Sequence, residues 1–415
     1  MIDRIAILGG SSVYVPEFIF SIITHNINVR EVVLYGRTGD KLSIVANFCR
    51  RLIKRSGFPT LIHHTTDLAE AVTGAKYVLN HVRVGGMSAR LRDETLPPLD
   101  GMVGDESVGP GGLANALRTL PTVFAQAAVV QEANPSAIYI NLTNPMGILV
   151  DALNTHTKLS VIGVCDLPTT YIRKIADVLR VSPDQLDVDY IGLNHLGWIQ
   201  DVKIHRRSVM SSLVERLERD SDNGFDADLI KLFHLIPTRA PSLYFHADRV
   251  VEEQRRAGKH RAQVLHEAEA QILDLYRDEH LSEIPPLTRA RNTPWYEETI
   301  VPLIQALEGT AKRRLILCVR NDGAIRDLPA ECCVEVPVDV CDGTFKPQKV
   351  GTCPKFLHGL FAAAKESERL VVEASYHKSY DYALQAFAVN PFVHSLDTAK
   401  RFLDRLIKDE RLELH

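Results

Sequence analysis

A cysteine and an aspartate stand side by side in "VIGVCDLPTT", at the end of an apolar run, and one histidine follows thirty residues later in "GLNHLGW". Cys165 and His195 offer sulfur and imidazole nitrogen, a donor pair that suits a transition metal. Asp166 is a carboxyl group able to give or take a proton. Taken alone, Cys165 also reads as a buried packing thiol or a nucleophile, and His195 as an ordinary loop residue.

A second group of residues suits dinucleotides and anions. "AILGGSSVYVPEF" puts Gly9, Gly10, Ser11 and Ser12 where a first strand would turn into a first helix. The glycines permit a tight turn, and the serines bring hydroxyl and N–H groups to a phosphate at a helix N-terminus. The motif is not a full G-x-G-x-x-G, and a plain strand-to-helix turn has the same look. The next strand ends "LYGRTGD", with Gly36 and Arg37 where an acid would hold a ribose 2′-OH. A small residue followed by arginine accommodates a 2′-phosphate, so NAD and NADP both stay open.

"NHVRVGGMSARLRDE" adds Arg83, Arg90 and Arg92, whose planar forks suit phosphate or carboxylate. Arg92, more than Arg90, is expected to pair with Asp93 or Glu94 on a helix surface. Gly109 to Gly112 reads as a loop leading into a helix. "YINLTNPMGI" sets Asn141 and Asn144 after a strand, where a carboxamide holds a nicotinamide ribose or a sugar hydroxyl, or satisfies the turn.

These groups need a scaffold that brings strand ends together. Up to residue 165, short apolar runs alternate with helical spacing, as in Leu42, Val45, Phe48 and Leu52 on one face. That βαβ rhythm predicts an α/β fold with a Rossmann-type doubly wound parallel sheet over 1–165. Beyond Asp166 come a strand–turn–strand, a mostly helical stretch, valine-rich antiparallel strands from Leu315 to Val350 and helices broken near Asn390-Pro391. Residues 166–415 are expected to form an α+β substrate domain packed on the first without a tether. Within Lys259 to Arg277, Val264, Ala268, Ile272 and Leu275 are spaced for one buried face.

Composition narrows the classes. A net charge of -4 over 415 residues lacks the basic excess of a nucleic-acid protein. No run approaches a membrane span, and the start has no signal-peptide pattern, so a cytoplasmic protein is expected. Seven cysteines without a C-x-x-C pair argue against a disulfide framework or a zinc ribbon.

The ordered motifs "GGSSVYVPE", "VRVGGMSARLRDE", "GPGGLANALRTLP", "NLTNPMGI", "GVCDLP" and "GLNHLGW" resemble glycoside hydrolase family 4. So do "LPAECCVEVPVDV" and "VEASYHKSYDYALQAFAVNPFV", which carry the resemblance from Ile5 to about Asp397. This family is the NAD-dependent exception among glycosidases. The resemblance implies a lactate/malate dehydrogenase-like fold and a homodimer or homotetramer. It also implies transient oxidation at sugar C3, loss of the C2 proton, elimination of the aglycone, and net hydrolysis of a 6-phosphoglucoside or related glycoside. It places a divalent metal, commonly Mn²⁺, on Cys165 and His195, and makes Asp166 the acid for the leaving oxygen. Cys-Asp at this point goes with α-linked substrates, whereas the GPGG loop looks like the β-acting branch. Ser12 and Arg90 match phosphate-binding positions. "TRARNTPWYEE" keeps Arg289 and Arg291 of a further arginine motif but loses its glycines. The C2 base is a tyrosine soon after "IP" in the family. Without a gap that position falls on Ala240 here, and Tyr244 is the nearest tyrosine.

Overall fold

The computed structural model describes residues 1–219, 224–291 and 295–415. β1 (Ile2–Leu8), α1 (Val15–Thr24), β2 (Val29–Tyr35), α2 (Gly39–Ser56) and β3 (Leu61–Thr65) wind in one direction. α3 (Leu68–Val72), β4 (Tyr77–Asn80), α4 (Gly86–Leu99), α5 (Gly109–Ala133), β5 (Ile138–Asn141), α6 (Met146–His156) and β6 (Ser160–Gly163) wind in the other. The parallel strands run in the order β3-β2-β1-β4-β5-β6, which is the dinucleotide-binding arrangement.

Alternation along β1 shows how the layers form. Ile5 and Ile7 join the core under α1 and α2, while Ala6 and Leu8 join the opposite core under α5 and α6. Successive strand side chains point to opposite faces, so a strand covered on both sides must be apolar throughout.

The chain then makes α7 (Leu167–Leu179), the hairpin β7 (Leu186–Leu193) and β8 (Leu196–Ile204), β9 (Arg207–Ser208), α8 (Met210–Arg219) and α9 (Ala227–Phe233). β10 (Ile236–Pro237), α10 (Arg239–Phe245), α11 (Ala247–Arg256), α12 (Arg261–Tyr276) and α13 (Val301–Leu307) lead to β11 (Arg313–Arg320), β12 (Cys333–Cys341) and β13 (Thr344–Pro347). α14 (Lys355–His377), α15 (Tyr380–Val389) and α16 (Leu396–Glu410) close the chain.

The sheet does not stop at residue 165. β11 pairs antiparallel with β6 through Cys318 and Gly163, and β12 and the β7–β8 hairpin continue from it. α14 to α16 return to the first half, where Leu370, Phe387 and Leu403 share a core with α5 and α6. No helix among the described residues is long and apolar enough to cross a membrane.

Two local expectations change. Gly109 to Gly112 are the first turn of α5 and not a loop before it. A Cβ on Gly111 would lie 2.4 Å from the carbonyl oxygens of Asp93 and Asp105, so only bare backbone fits. On α12 the buried seam is Leu265, Ala268, Ile272 and Tyr276, and Leu275 is 42% exposed. The seam winds through Tyr276, whose ring stacks on Phe48 of α2 at 4.0 Å, and this turns Leu275 outward.

Candidate active site

A cleft of about 1050 Å³ opens at the carboxyl ends of β1, β4, β5 and β6, where ligands bind in open α/β sheets. Gly9, Ser11 and Ser12 line it. Gly9 has φ +91°, and a Cβ there would lie 2.5 Å from the His81 carbonyl oxygen. Glycine is required on both counts. Gly10 lies beneath the turn: it is buried against Leu34 and its N–H donates to the Tyr35 carbonyl at 2.7 Å. Arg37 lines the cleft at its β2 end.

The two asparagines separate. Asn141 is fully buried; it accepts from Asn80 Nδ2 at 2.9 Å and donates to the Thr143 carbonyl at 3.0 Å. It fastens β4 to β5 and satisfies the turn, and it does not line the cleft in which a cofactor-binding role was expected of it. Asn144 lines the cleft, and its peptide bond to Pro145 is cis.

One wall is cationic. Arg90 pairs with Glu94 at 2.7 Å and with Glu106 at 3.1 Å, and Arg83 also engages Glu106. Burial alone would raise the Glu106 pKa, but the two guanidinium groups hold it well below the usual range. Arg92, expected to pair locally, reaches Glu410 of α16 at 2.9 Å instead. Arg291 lies over the rings of Trp295 and Tyr14, at 4.5 and 5.0 Å. Arg261, which no motif singled out, joins it; burial and the like charges of Arg90 and Arg291 lower its pKa. Arg289 is exposed outside the cleft, and Asn292 to Pro294 of the same motif lie outside the described residues. Lys259 lines the cleft and pairs with Glu267 at 2.6 Å, whereas His246 pairs with Asp226 at 3.1 Å outside it.

His81 completes this wall. Arg291 Nη1 donates to its Nε2 at 3.5 Å, which leaves the proton on Nδ1, facing the Tyr296 hydroxyl at 3.3 Å. Burial, then Arg291 and Arg83, lower its pKa to about 3. The folded imidazole is therefore neutral where the unfolded one binds a proton. Stability is complete above the unfolded value near 6.5 and falls as pH drops toward 3. The slope has an upper bound of about 1.4 kcal/mol per pH unit. Urea titrations of His81→Gln should show less loss between pH 6.5 and 4 than the parent; equal slopes would contradict this.

The opposite end of the cleft holds Cys165, Asp166 and His195. Cys165 follows β6, and its Sγ accepts the Leu167 N–H at 3.5 Å. Asp166 is the N-cap of α7, yet its side chain makes no capping bond. Leu193 faces Leu196 across the hairpin, so Asn194 and His195 form the whole β7–β8 turn. His195 sits in the left-handed region at φ +66°. Its carbonyl accepts from Thr238 Oγ1 at 2.8 Å and from the Ala240 N–H at 3.2 Å. Among the described residues nothing hydrogen-bonds its ring.

Behind this turn lies Glu335 of β12, fully buried and absent from the sequence expectations. Asn194 Nδ2 donates to it at 2.8 Å and the Tyr190 hydroxyl at 2.5 Å. Burial pushes its pKa up to about 7. Its only sequence signal is that of an acid among alternating valines, which Asp339 of the same strand shares. Burial, then the charges of Glu335 and Asp166, push the Cys165 thiol well up. Burial lowers the His195 pKa, although the charges of Asp105, Asp166 and Glu106 oppose that. A thiol beside Asp166 and Glu335, and an imidazole whose ring nothing hydrogen-bonds among the described residues, form a donor set that suits a divalent cation.

Tyr244, expected as the base, is not at the cleft. Its ring packs on Phe245 and Phe392, at 5.0 and 5.5 Å. Ala240 is buried beside the His195 turn and carries no titratable group. Arg239 lines the cleft there and pairs with Asp105 at 2.8 Å.

The family described as Family 4 glycosyl hydrolase matches residues 4–181, and its C-terminal domain matches residues 190–393. A probable 6-phospho-beta-glucosidase of Bacillus subtilis is 31% identical, covering 99% of this chain and 97% of its own length. A 6-phospho-alpha-glucosidase of Leptotrichia buccalis is 27% identical over 97% of each chain. The solved 6-phospho-beta glucosidase of Thermotoga maritima with manganese, NAD+ and glucose-6-phosphate superposes with a TM-score of 0.90, at 29% identity over 99% of each chain. Malate dehydrogenase of Plasmodium falciparum shares the fold alone, with a TM-score of 0.56 at 14% identity, covering 91% of this chain and 99% of its own.

Proposed function

The chain belongs to glycosyl hydrolase family 4, and from that premise we propose that its cleft hydrolyses a 6-phosphoglucoside by a transient redox route. A nicotinamide dinucleotide would sit on Gly9, Ser11 and Ser12, and a divalent cation, manganese, on Cys165 and His195. The observation that carries this reading is that one cleft joins the glycine turn, the arginine wall and the Cys165–His195 pair. A glycosidase working through two carboxylates alone has no use for a dinucleotide turn. When bound, the dinucleotide supplies a reversible hydride acceptor for sugar C3 and the cation a Lewis acid for the sugar oxygens.

The chain's own groups divide the remaining work. Arg90, Arg261 and Arg291 face the sugar phosphate, and Asn144 a sugar hydroxyl. Asp166, free of its capping bond, donates the proton to the leaving oxygen. The C2 proton needs an acceptor in the cleft, and Tyr244 is outside it. Asp105 lines the cleft, paired with Arg239 beside the His195 turn, and we assign it that role. We further read the enzyme as a cytoplasmic homodimer or homotetramer, whose mass light scattering measures directly.

The test is a panel of α- and β-linked aryl glucosides, with and without 6-phosphate, incubated with dinucleotide and Mn²⁺. Release of the aryl alcohol only from phosphorylated members, without reduced cofactor building up, is the expected result. Reduced cofactor formed one-for-one with substrate would mean a net dehydrogenase instead. Equal release from unphosphorylated members would remove the phosphate assignment. The panel also decides between the anomers, on which the Cys165-Asp166 pair and the GPGG turn disagree.

A further inference from the structure

The ribose end of the cofactor cleft has an unusual charge arrangement. β2 ends at Tyr35, and Gly36 and Arg37 follow. A Cβ at Gly36 would lie 2.4 Å from Ser11 Oγ and 3.2 Å from Leu42 Cδ1. A side chain there would have to push the Ser11 hydroxyl aside, and glycine stands where the acid of a free ribose 2′-OH is expected. The nearest acid along the chain, Asp40, is exposed in the first turn of α2 and does not line the cleft.

Arg37 and Lys41 line the cleft beside Gly36. Among the described residues neither has an ion pair or hydrogen bond. Every other lysine or arginine lining the cleft is engaged. Arg83 and Arg90 are held by Glu106, Arg239 by Asp105 and Lys259 by Glu267. Arg261 donates to the carbonyls of Ala290 and Arg291, and Arg291 lies on aromatic rings. Two uncommitted cations therefore remain where a dinucleotide places its adenosine ribose, and glycine replaces the acid that would bind a free 2′-OH.

We propose that this chain binds the 2′-phosphorylated dinucleotide, NADP, in preference to NAD, with Arg37 and Lys41 clamping the 2′-phosphate. An arginine in this position accommodates that group, and a charge-assisted pair with phosphate is strong. The proposal rests on the dinucleotide reading of the Gly9–Ser12 turn.

Isothermal titration of the full chain with NADP+ and with NAD+ tests it without any catalytic readout. The parent should bind NADP+ at least about 10-fold more tightly. Arg37→Ala should remove most of that preference, and Arg37→Ala with Lys41→Ala the rest, while NAD+ affinity stays within about twofold. Arg37 is exposed and Lys41 half-buried, and an unchanged melting temperature would confirm intact folding. Equal or tighter binding of NAD+ by the parent overturns the proposal and leaves the dinucleotide reading standing. So does an equal loss for both ligands in Arg37→Ala. Absence of binding by either dinucleotide overturns both.

Discussion

Cys165→Ser should lower turnover of an aryl 6-phosphoglucoside by on the order of a thousandfold or more, with the fold intact. A Lewis acid contributes several kcal/mol to such a transition state, and each 1.36 kcal/mol is a factor of about ten. The thiol cannot be replaced by the hydroxyl, because sulfur suits the cation and serine oxygen stays protonated. The change is nearly isosteric in a site that already supplies the Leu167 N–H as a donor, so unfolding in urea should shift little. Two measurements settle it: kcat/KM across a Mn²⁺ series, and the rise in melting temperature on adding Mn²⁺. Both responses should vanish in the variant. Retention of Mn²⁺-dependent activity near the parent level would place the cation elsewhere.

Lys365→Ala should cost about 3–5 kcal/mol of stability, as expected when one partner of a buried charge network is removed. Lys365 is 5% exposed. Its Nζ donates to Asp151 Oδ2 at 2.6 Å and to Glu368 Oε2 at 2.5 Å. Asp151 Oδ1 in turn accepts the Cys333 N–H at 2.7 Å. The network thus ties α14 to α6 and β12, and its loss leaves two carboxylates without their cation. Burial already raises the Glu368 pKa, and removing Lys365 raises it further. A carboxyl group with a raised folded pKa contributes stability that is complete at low pH and lost as pH rises through that value. The gap between variant and parent should therefore be widest near neutrality and narrow toward pH 4, as read by urea midpoints. A loss below about 1 kcal/mol, the scale of a surface ion pair, would contradict the argument.

Local signals were legible and long-range pairings were not. The βαβ alternation, the α2 face and the β7–β8 hairpin follow from periodicity, because the period of apolar residues is set by the element itself. The α12 face lies about one position from the one the spacing suggests, since Val264 and Ala268 fit several windings until the Tyr276–Phe48 stack selects one. Lys365 looks like any surface lysine on a helix, because its partner Asp151 stands 214 residues away. Arg239 and Asp105 are equally mute until folding joins them. Asn141 and Asn144 lie three residues apart in one motif, yet one points into the sheet and the other into the cleft. The family resemblance supplied what spacing could not, namely a reason to set Cys165 beside His195. It could not supply the base, because the chain differs from the family at that point.

The sheet that passes unbroken from β3 to β10 has a consequence for how this enzyme can be divided. A fragment ending at residue 165 would carry β6 as a naked edge, with its apolar partner strand β11 missing and the cover from α14 to α16 gone. Unprotected edges of this kind recruit other strands. The nucleotide half is therefore no portable module: expressed alone it should aggregate, and a domain graft or split reporter on this scaffold needs its cut in an exposed loop elsewhere.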